Sequence, residues 1–423
     1  MNDLIKLLGA NKNVNDFRII SSKTRSYELF FVHRKLETVR ATDTVDIKVT
    51  VYSRHDGKIG DSTFSVYGSM TADEISSKIQ EAAERAALVF NQDYELPGGG
   101  VEADELESNM KDEDPSALAA KVADAVFDAD CAEGGSINAT EIFIYRDTVR
   151  VINSRGIDKT QVKYRGMIEA IPTFTEGGDS VELYEAYRFT EFDADRIRAE
   201  ISDKMREVEL RRRAVKPQTP ITANVLLRDK EISALMSDLS GDLNYAGVYS
   251  QSNLHKKGDI IQTGSGDRIN LTMVSKIRGS GSSAFFDEDG TALTDTKLIV
   301  DGKVEAYYGA HRFASYLGEP ETGNLGCMSL GVGTLTDEEL KGQSYIECVS
   351  LSGLQVDLYN DYIGGEIRLA YLHEGDRVQP ITGITMSAKL SDVLNTLRLS
   401  AKSTVSERYA GPAGLLMHGI KIM

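Results

Sequence analysis

The 423-residue sequence has no tryptophan, eight prolines, three cysteines and six histidines, and each scarcity excludes something. Cys131, Cys327 and Cys348 lie far apart, form no CxxC pair and are odd in number, which argues against a disulfide framework and for reduced thiols. Each reads first as a small buried apolar residue. No apolar run approaches the roughly 18–20 residues that a helix needs to cross a bilayer. The start, Met1-Asn2-Asp3-Leu4-Ile5, carries an early acid and no basic segment, unlike a secretory signal. A cytoplasmic chain with no membrane contact is expected.

Positive charge is also short. Forty-eight Lys and Arg against 65 Asp and Glu leave a formal charge of −17. Nucleic-acid affinity rests largely on basic side chains replacing phosphate counterions, so direct binding to DNA or RNA is disfavoured. The densest basic run, Arg211-Arg212-Arg213, reads as a helix C-terminus that complements the helix dipole.

What is present is a long alternation of strand and helix signals. Asp43–Ser53 and Ser62–Tyr67 alternate apolar and polar residues around Asp56-Gly57, which predicts a hairpin. Thr71 with Glu74 forms a capping box for a helix whose apolar face is Ile75, Ile79, Ala82, Ala83 and Ala86. Residues 93–115 hold Gly98-Gly99-Gly100 and eight acids from Glu95 to Asp114, and read as a solvated loop. Helices are expected after Pro115 and over Asp193–Arg213, with strands at Glu141–Asn153 and Gln161–Tyr164.

Lys216-Pro217-Gln218-Thr219-Pro220 then breaks the chain. Two domains follow: a mixed α/β domain over 1–215 and a β-rich, largely antiparallel, barrel-like domain over 221–423, an α+β protein as a whole. The second domain should open with a helix over about Asp229–Leu239. Later, Ser283–Phe286 and Lys297–Val300 are expected as strands flanking the acidic turn Asp287-Glu288-Asp289-Gly290.

Recognisable chemistry is scarce. No two of His33, His55, His255, His311, His373 and His418 are spaced as HExxH, and His373-Glu374 runs into a turn. There is no GxSxG, GxGxxG or GxxxxGK[ST]. Gly290 comes too early for an EF-hand loop. Asp238, Asp242 and His255 are close enough in sequence to be weighed as a metal set, although such residues are common on solvated helix ends.

Several stretches of the second half, taken in order, resemble the TldD/PmbA family, also described as modulators of DNA gyrase. They are Ala284–Thr291 with Leu298-Ile299-Val300-Asp301-Gly302, then Ala314–Gly318 with Thr322-Gly323-Asn324, then Gly364-Gly365-Glu366, Ala370-Tyr371-Leu372 and Pro380-Ile381-Thr382-Gly383. Asn153–Gly156 is a weaker match upstream. The resemblance implies two kinds of subunit. TldD-type members bind zinc through HExxxH on a helix and a cysteine near the C-terminus; PmbA- or TldE-type members keep the fold without the ligands.

In this sequence the corresponding helix is Glu231–Gly241, where Met236 and Gly241 stand near the two ligand positions and Ser237 near the general base. Tyr409–Gly414, the counterpart of the cysteine segment, has no cysteine. The resemblance therefore implies a non-catalytic subunit with no cofactor of its own. Its partner would be a TldD-like, HExxxH-bearing subunit that supplies zinc, and its substrate a flexible peptide held as an extended strand. Two other readings stand beside it: an active metallohydrolase using Asp238, Asp242 and His255, and a stand-alone peptide-binding or scaffold protein, including a homodimer.

Overall fold

Strand pairing divides the chain near residue 216. The computed structural model of the chain describes residues 1–130 and 133–423. All strands before that point join one nine-stranded sheet. Its main path runs Asn91–Gln92, Lys58–Val66, Lys35–His55, Asp16–Val32, Gly135–Asn153, Asp158–Glu176, Val101–Glu105. Asp179–Glu182 and Glu185–Phe189 add to Asp158–Glu176.

The hairpin at Asp56-Gly57 forms, with both residues at positive φ (50° and 69°), as a two-residue turn between right-twisted strands requires. The helix Ala72–Ala86 carries the full Thr71–Glu74 capping box and buries Ile79, Ala82, Ala83 and Ala86. Asp114 caps Pro115–Ala129, and Asp193 caps the long helix Ala194–Arg213. Arg211, Arg212 and Arg213 close that helix and bind the carbonyl of Glu182, Asp179 and Glu176 respectively.

The acidic stretch 93–115 is a correction. Val101–Glu105 is no loop but a strand parallel to Asp158–Glu176. Its backbone is paired while its side chains stay largely in water, so an acidic composition costs little there. Ser283–Phe286 is a second correction. It forms no strand, only a single bridge from Phe286 to Ala292 across the acidic turn. Cys131 lies outside the described residues; Cys327 and Cys348 are free and buried.

Beyond the break, five strands close into a ring: Ile221–Arg228, Ser344–Asp357, Tyr362–Glu374, Ile384–Lys389 and Gly414–Ile422, which pairs back onto Ile221–Arg228. Only the pair of Ile221–Arg228 with Ser344–Asp357 is parallel. The α+β class and the largely antiparallel barrel are thus as the pattern predicts. A six-stranded sheet, from Lys303–Val304 to Ser403–Ser406, shares one apolar core with the barrel. Among the described residues no helix is long and apolar enough to cross a membrane.

The halves are stitched together at named points. Val215 hydrogen-bonds both ways to the Pro380–Thr382 strand end (3.1 Å each). The Gln161 amide takes the Phe285 N–H at 3.0 Å, and Phe286 packs with Val151 and Ile157. Arg18 pairs with Asp289 at the tip of the acidic turn.

Candidate functional site

The helix Asp229–Asp242 follows directly from the first barrel strand and packs against Ser344–Asp357, Ser403–Ser406, Tyr409–Pro412 and Gly414–Ile422. Its sequence fixes its orientation: Ile232, Leu235, Met236 and Leu239 recur at helical spacing and are all buried. Asp229 and Glu231 occupy the first turn, where the helix dipole favours acids.

Met236 is wholly enclosed in the core. Ser237 is half-buried and donates its hydroxyl to the Ser233 carbonyl at 2.7 Å, a bond within the helix. Gly241 is exposed with open space where a side chain would project. The strand Tyr409–Pro412 does lie against this helix, so the two segments singled out by sequence meet. Tyr409 of that strand is fully buried in the same apolar core as Met236, with its hydroxyl donating to the Pro412 carbonyl at 3.0 Å. Burial pushes its phenol well above the ordinary value. A thioether, a serine hydroxyl engaged with its own helix, a glycine and a protonated phenol give zinc none of the imidazole, thiolate or carboxylate donors it requires. The residues at this place do not fit the metal.

Of the alternative set, the structure joins two. The His255 ring Nδ1 lies 2.9 Å from Asp242 Oδ2, and the same carboxylate accepts the backbone N–H groups of Leu254 (2.6 Å) and His255 (2.9 Å). Burial alone would raise the Asp242 carboxyl, but these donors outweigh it and hold it below its ordinary value. Asp238, one turn earlier, is exposed and makes no hydrogen bond or ion pair with either. Its carboxyl is raised by partial burial. Among the described residues no three His, Cys, Asp or Glu side chains converge as a metal site. Asp242 instead fastens the loop that follows the helix.

Sequence reasoning missed the charged groups around the helix start. Glu231 is 8% exposed, and burial raises its carboxyl to about 7. Beside it, burial and then the charge of Glu231 raise the Cys348 thiol. Arg228 bridges Glu347 (2.8 Å) and Glu207 (3.1 Å), Glu207 binds Lys204 (2.9 Å), and His373 Nε2 meets Glu347 at 3.0 Å. This chain ties the Ala194–Arg213 helix to the barrel. An acid in a helix first turn ordinarily reads as a solvated dipole partner, so nothing in the sequence announced Glu231 as buried.

Residues 221–423 match the model of the PmbA/TldA metallopeptidase C-terminal domain. Over that stretch the chain belongs to the TldD/PmbA family. Known structures extend the likeness to the whole length. TldE from Thermococcus kodakarensis superposes with a TM-score of 0.81 at 16% identity, covering 100% of this chain and 99% of that one. A candidate modulator of a DNA gyrase from Thermotoga maritima gives 0.77 at 16%, with 100% and 99% covered. Another from Bacteroides thetaiotaomicron gives 0.78 at 16%, with 100% and 96% covered. No curated protein matches. At such identity the superpositions establish the fold, and the TldD/PmbA assignment rests on the C-terminal match.

Proposed function

We propose that this chain is a non-catalytic, TldE-like subunit of a TldD/TldE-type zinc peptidase complex. In this reading it is a cytoplasmic protein, and a second, HExxxH-bearing TldD-like chain supplies the metal. Together they act on flexible peptides. The observation that carries the reading is the lack of zinc donors at the helix–strand contact: buried Met236 and exposed Gly241 stand near the two ligand positions, and the strand Tyr409–Pro412, from the cysteine-free counterpart segment, lies against the same helix. Losing imidazole and thiolate there removes the means of activating water. The six-stranded sheet beside the closed barrel, whose outer strands are Lys303–Val304 and Ser403–Ser406, offers edges on which an extended peptide could be held through its main chain. The acidic surface, −17 overall, gives no support to direct contact with DNA.

The test is recovery of the tagged chain from its native cytosol, with metal analysis and an assay on an unfolded peptide beside the recombinant chain alone. Zinc and hydrolysis that appear only together with a second, HExxxH-bearing chain are the expected result. Stoichiometric metal and peptide cleavage by the isolated chain would overturn the reading.

A further inference from the structure

Gln161, Lys163 and Arg165 alternate onto one face of the strand Asp158–Glu176. The contacts of the outer two show what that face meets. The Gln161 amide takes the Phe285 N–H at 3.0 Å, and the Arg165 stem lies against Gly281, where an added Cβ would be 3.5 Å from Cδ. Lys163, between them, is thereby turned towards the Ser280–Ser283 loop and Cys327 of the second half. Cys327 is the ionisable group that acts on its charge most strongly. Ser280 Oγ lies 3.4 Å from Cys327 Sγ, and Ser283 Oγ 4.0 Å. Lys163 lacks a counter-charge there. Asp147 stands directly opposite it on the neighbouring strand, but that carboxylate is engaged by Arg165 Nε (2.6 Å) and Thr24 Oγ1 (2.8 Å). Among the described residues Lys163 makes no hydrogen bond or ion pair. It is half-buried, yet its amine is not among the sealed polar atoms without a partner, so solvent can reach it. Burial holds the amine below its ordinary value, against the pull of Cys327 and Asp147.

We propose that Lys163 and Arg165 form an anchor for a ligand carboxylate, the C-terminus of an extended peptide being the source that the proposed function supplies. Two cations at neighbouring positions of one strand face share a single acid, Asp147. With Lys163 protonated, the cluster carries one positive charge in excess, in a chain where acids outnumber bases by 17. Arg165 is 42% exposed and, among the described residues, hydrogen-bonds only through Nε, which leaves its terminal nitrogens for a ligand. A half-buried ammonium without a partner is costly. An incoming carboxylate brings the missing charge and accepts a charge-assisted hydrogen bond from it. A monoanion also matches the single excess charge, which a phosphate dianion does not. Only the source of the carboxylate rests on the peptide-complex reading; the anchor itself rests on the cluster.

The experiment titrates the recombinant chain, with no zinc subunit present, with trialanine, its C-terminal amide and sodium acetate by calorimetry. Trialanine should bind, and the amide should bind roughly tenfold more weakly, since it offers the ammonium no charge to pair with. K163M should weaken trialanine binding by a similar factor. That variant removes a half-buried charge without a partner and keeps the length of the side chain, so it should melt no lower than wild type. Acetate bound as tightly as trialanine would support the anchor and assign it to a free small acid. No binding of trialanine or acetate, or equal binding of acid and amide, would overturn the anchor. So would unchanged binding by K163M, or a K163M chain that melts well below wild type. Each of these results leaves the subunit reading standing, and a failure of that reading leaves the titrations unaffected.

Discussion

Asp287 Oδ2 accepts the backbone N–H of Asn324 at 2.9 Å, across 37 residues of sequence. The first residue is in the acidic turn and the second in Thr322-Gly323-Asn324, so two of the segments that carry the family resemblance hold each other directly. Oδ1 of the same carboxylate accepts the N–H groups of Asp289 (2.9 Å) and Thr291 (3.1 Å). Burial, then the charge of Asp289, pushes the Asp287 carboxyl up to about 6 against these donors. Asp287→Ala strands three backbone donors and should lower stability by about 2 kcal/mol at neutral pH in urea unfolding. A carboxyl raised in the folded state contributes most below its unfolded value and loses that contribution as pH rises through about 6. The gap between wild type and variant should therefore widen as pH falls from 7 towards 4. A gap independent of pH would place the strain elsewhere.

Glu231 gives the clearest pH signature. Its carboxyl is raised from 4.5 to about 7 by burial at the start of the barrel-packed helix. Ionising it in the folded state is costly, so the wild-type fold loses stability between about pH 5 and 8. Glu231→Gln cannot ionise. It should match wild type below pH 5 and exceed it by roughly 1–3 kcal/mol at pH 8, read as the difference in thermal unfolding across that range. Equal melting curves at pH 8 would mean that Glu231 finds a compensating partner.

Met236 separates a packing role from a metal role. The side chain is fully enclosed with Ile232, Leu235 and Leu239 around one helix face. Met236→Ala should cost about 2–5 kcal/mol in urea unfolding, the usual range for truncating a core side chain. A chelator added to wild type should leave the melting temperature unchanged. A chelator-dependent shift would point to a metal bound somewhere on the chain.

Much of the architecture was legible because it is written in short-range chemistry. Asp56-Gly57 between alternating strands, the Thr71–Glu74 box and the Lys216–Pro220 break each specify local backbone, and the first two appear as read. Val101–Glu105 was not legible, since the parallel pairing that makes it a strand is supplied by Asp158–Glu176, more than fifty residues later. Ser283–Phe286 failed in the opposite way. Its apolar end pointed to a strand, yet Phe286 is spent packing on Val151 and Ile157 of the other half. At the candidate site the residues that sequence singled out were Met236, Ser237 and Gly241. The buried charges Glu231 and Glu207 depend on tertiary burial that no local pattern encodes.

Asp242 and His255 form the one joined pair within the alternative metal set, and acid titration can show what that pair does. The Asp242 carboxylate is 4% exposed and holds two backbone N–H groups and the His255 ring. Because its carboxyl is held below 3.8, its contribution is fully present above that value and is lost as pH falls through the lower folded value. Asp242→Asn keeps one acceptor and loses the charge. It should cost about 1–3 kcal/mol at pH 7, with the difference shrinking below about pH 4. Zinc added at equal concentration should move neither protein, because the carboxylate is already engaged by the loop that it fastens and no third donor among the described residues joins the pair. A zinc-dependent stabilisation of wild type that Asp242→Asn abolishes would restore the pair as metal ligands and favour the hydrolase reading over the subunit reading.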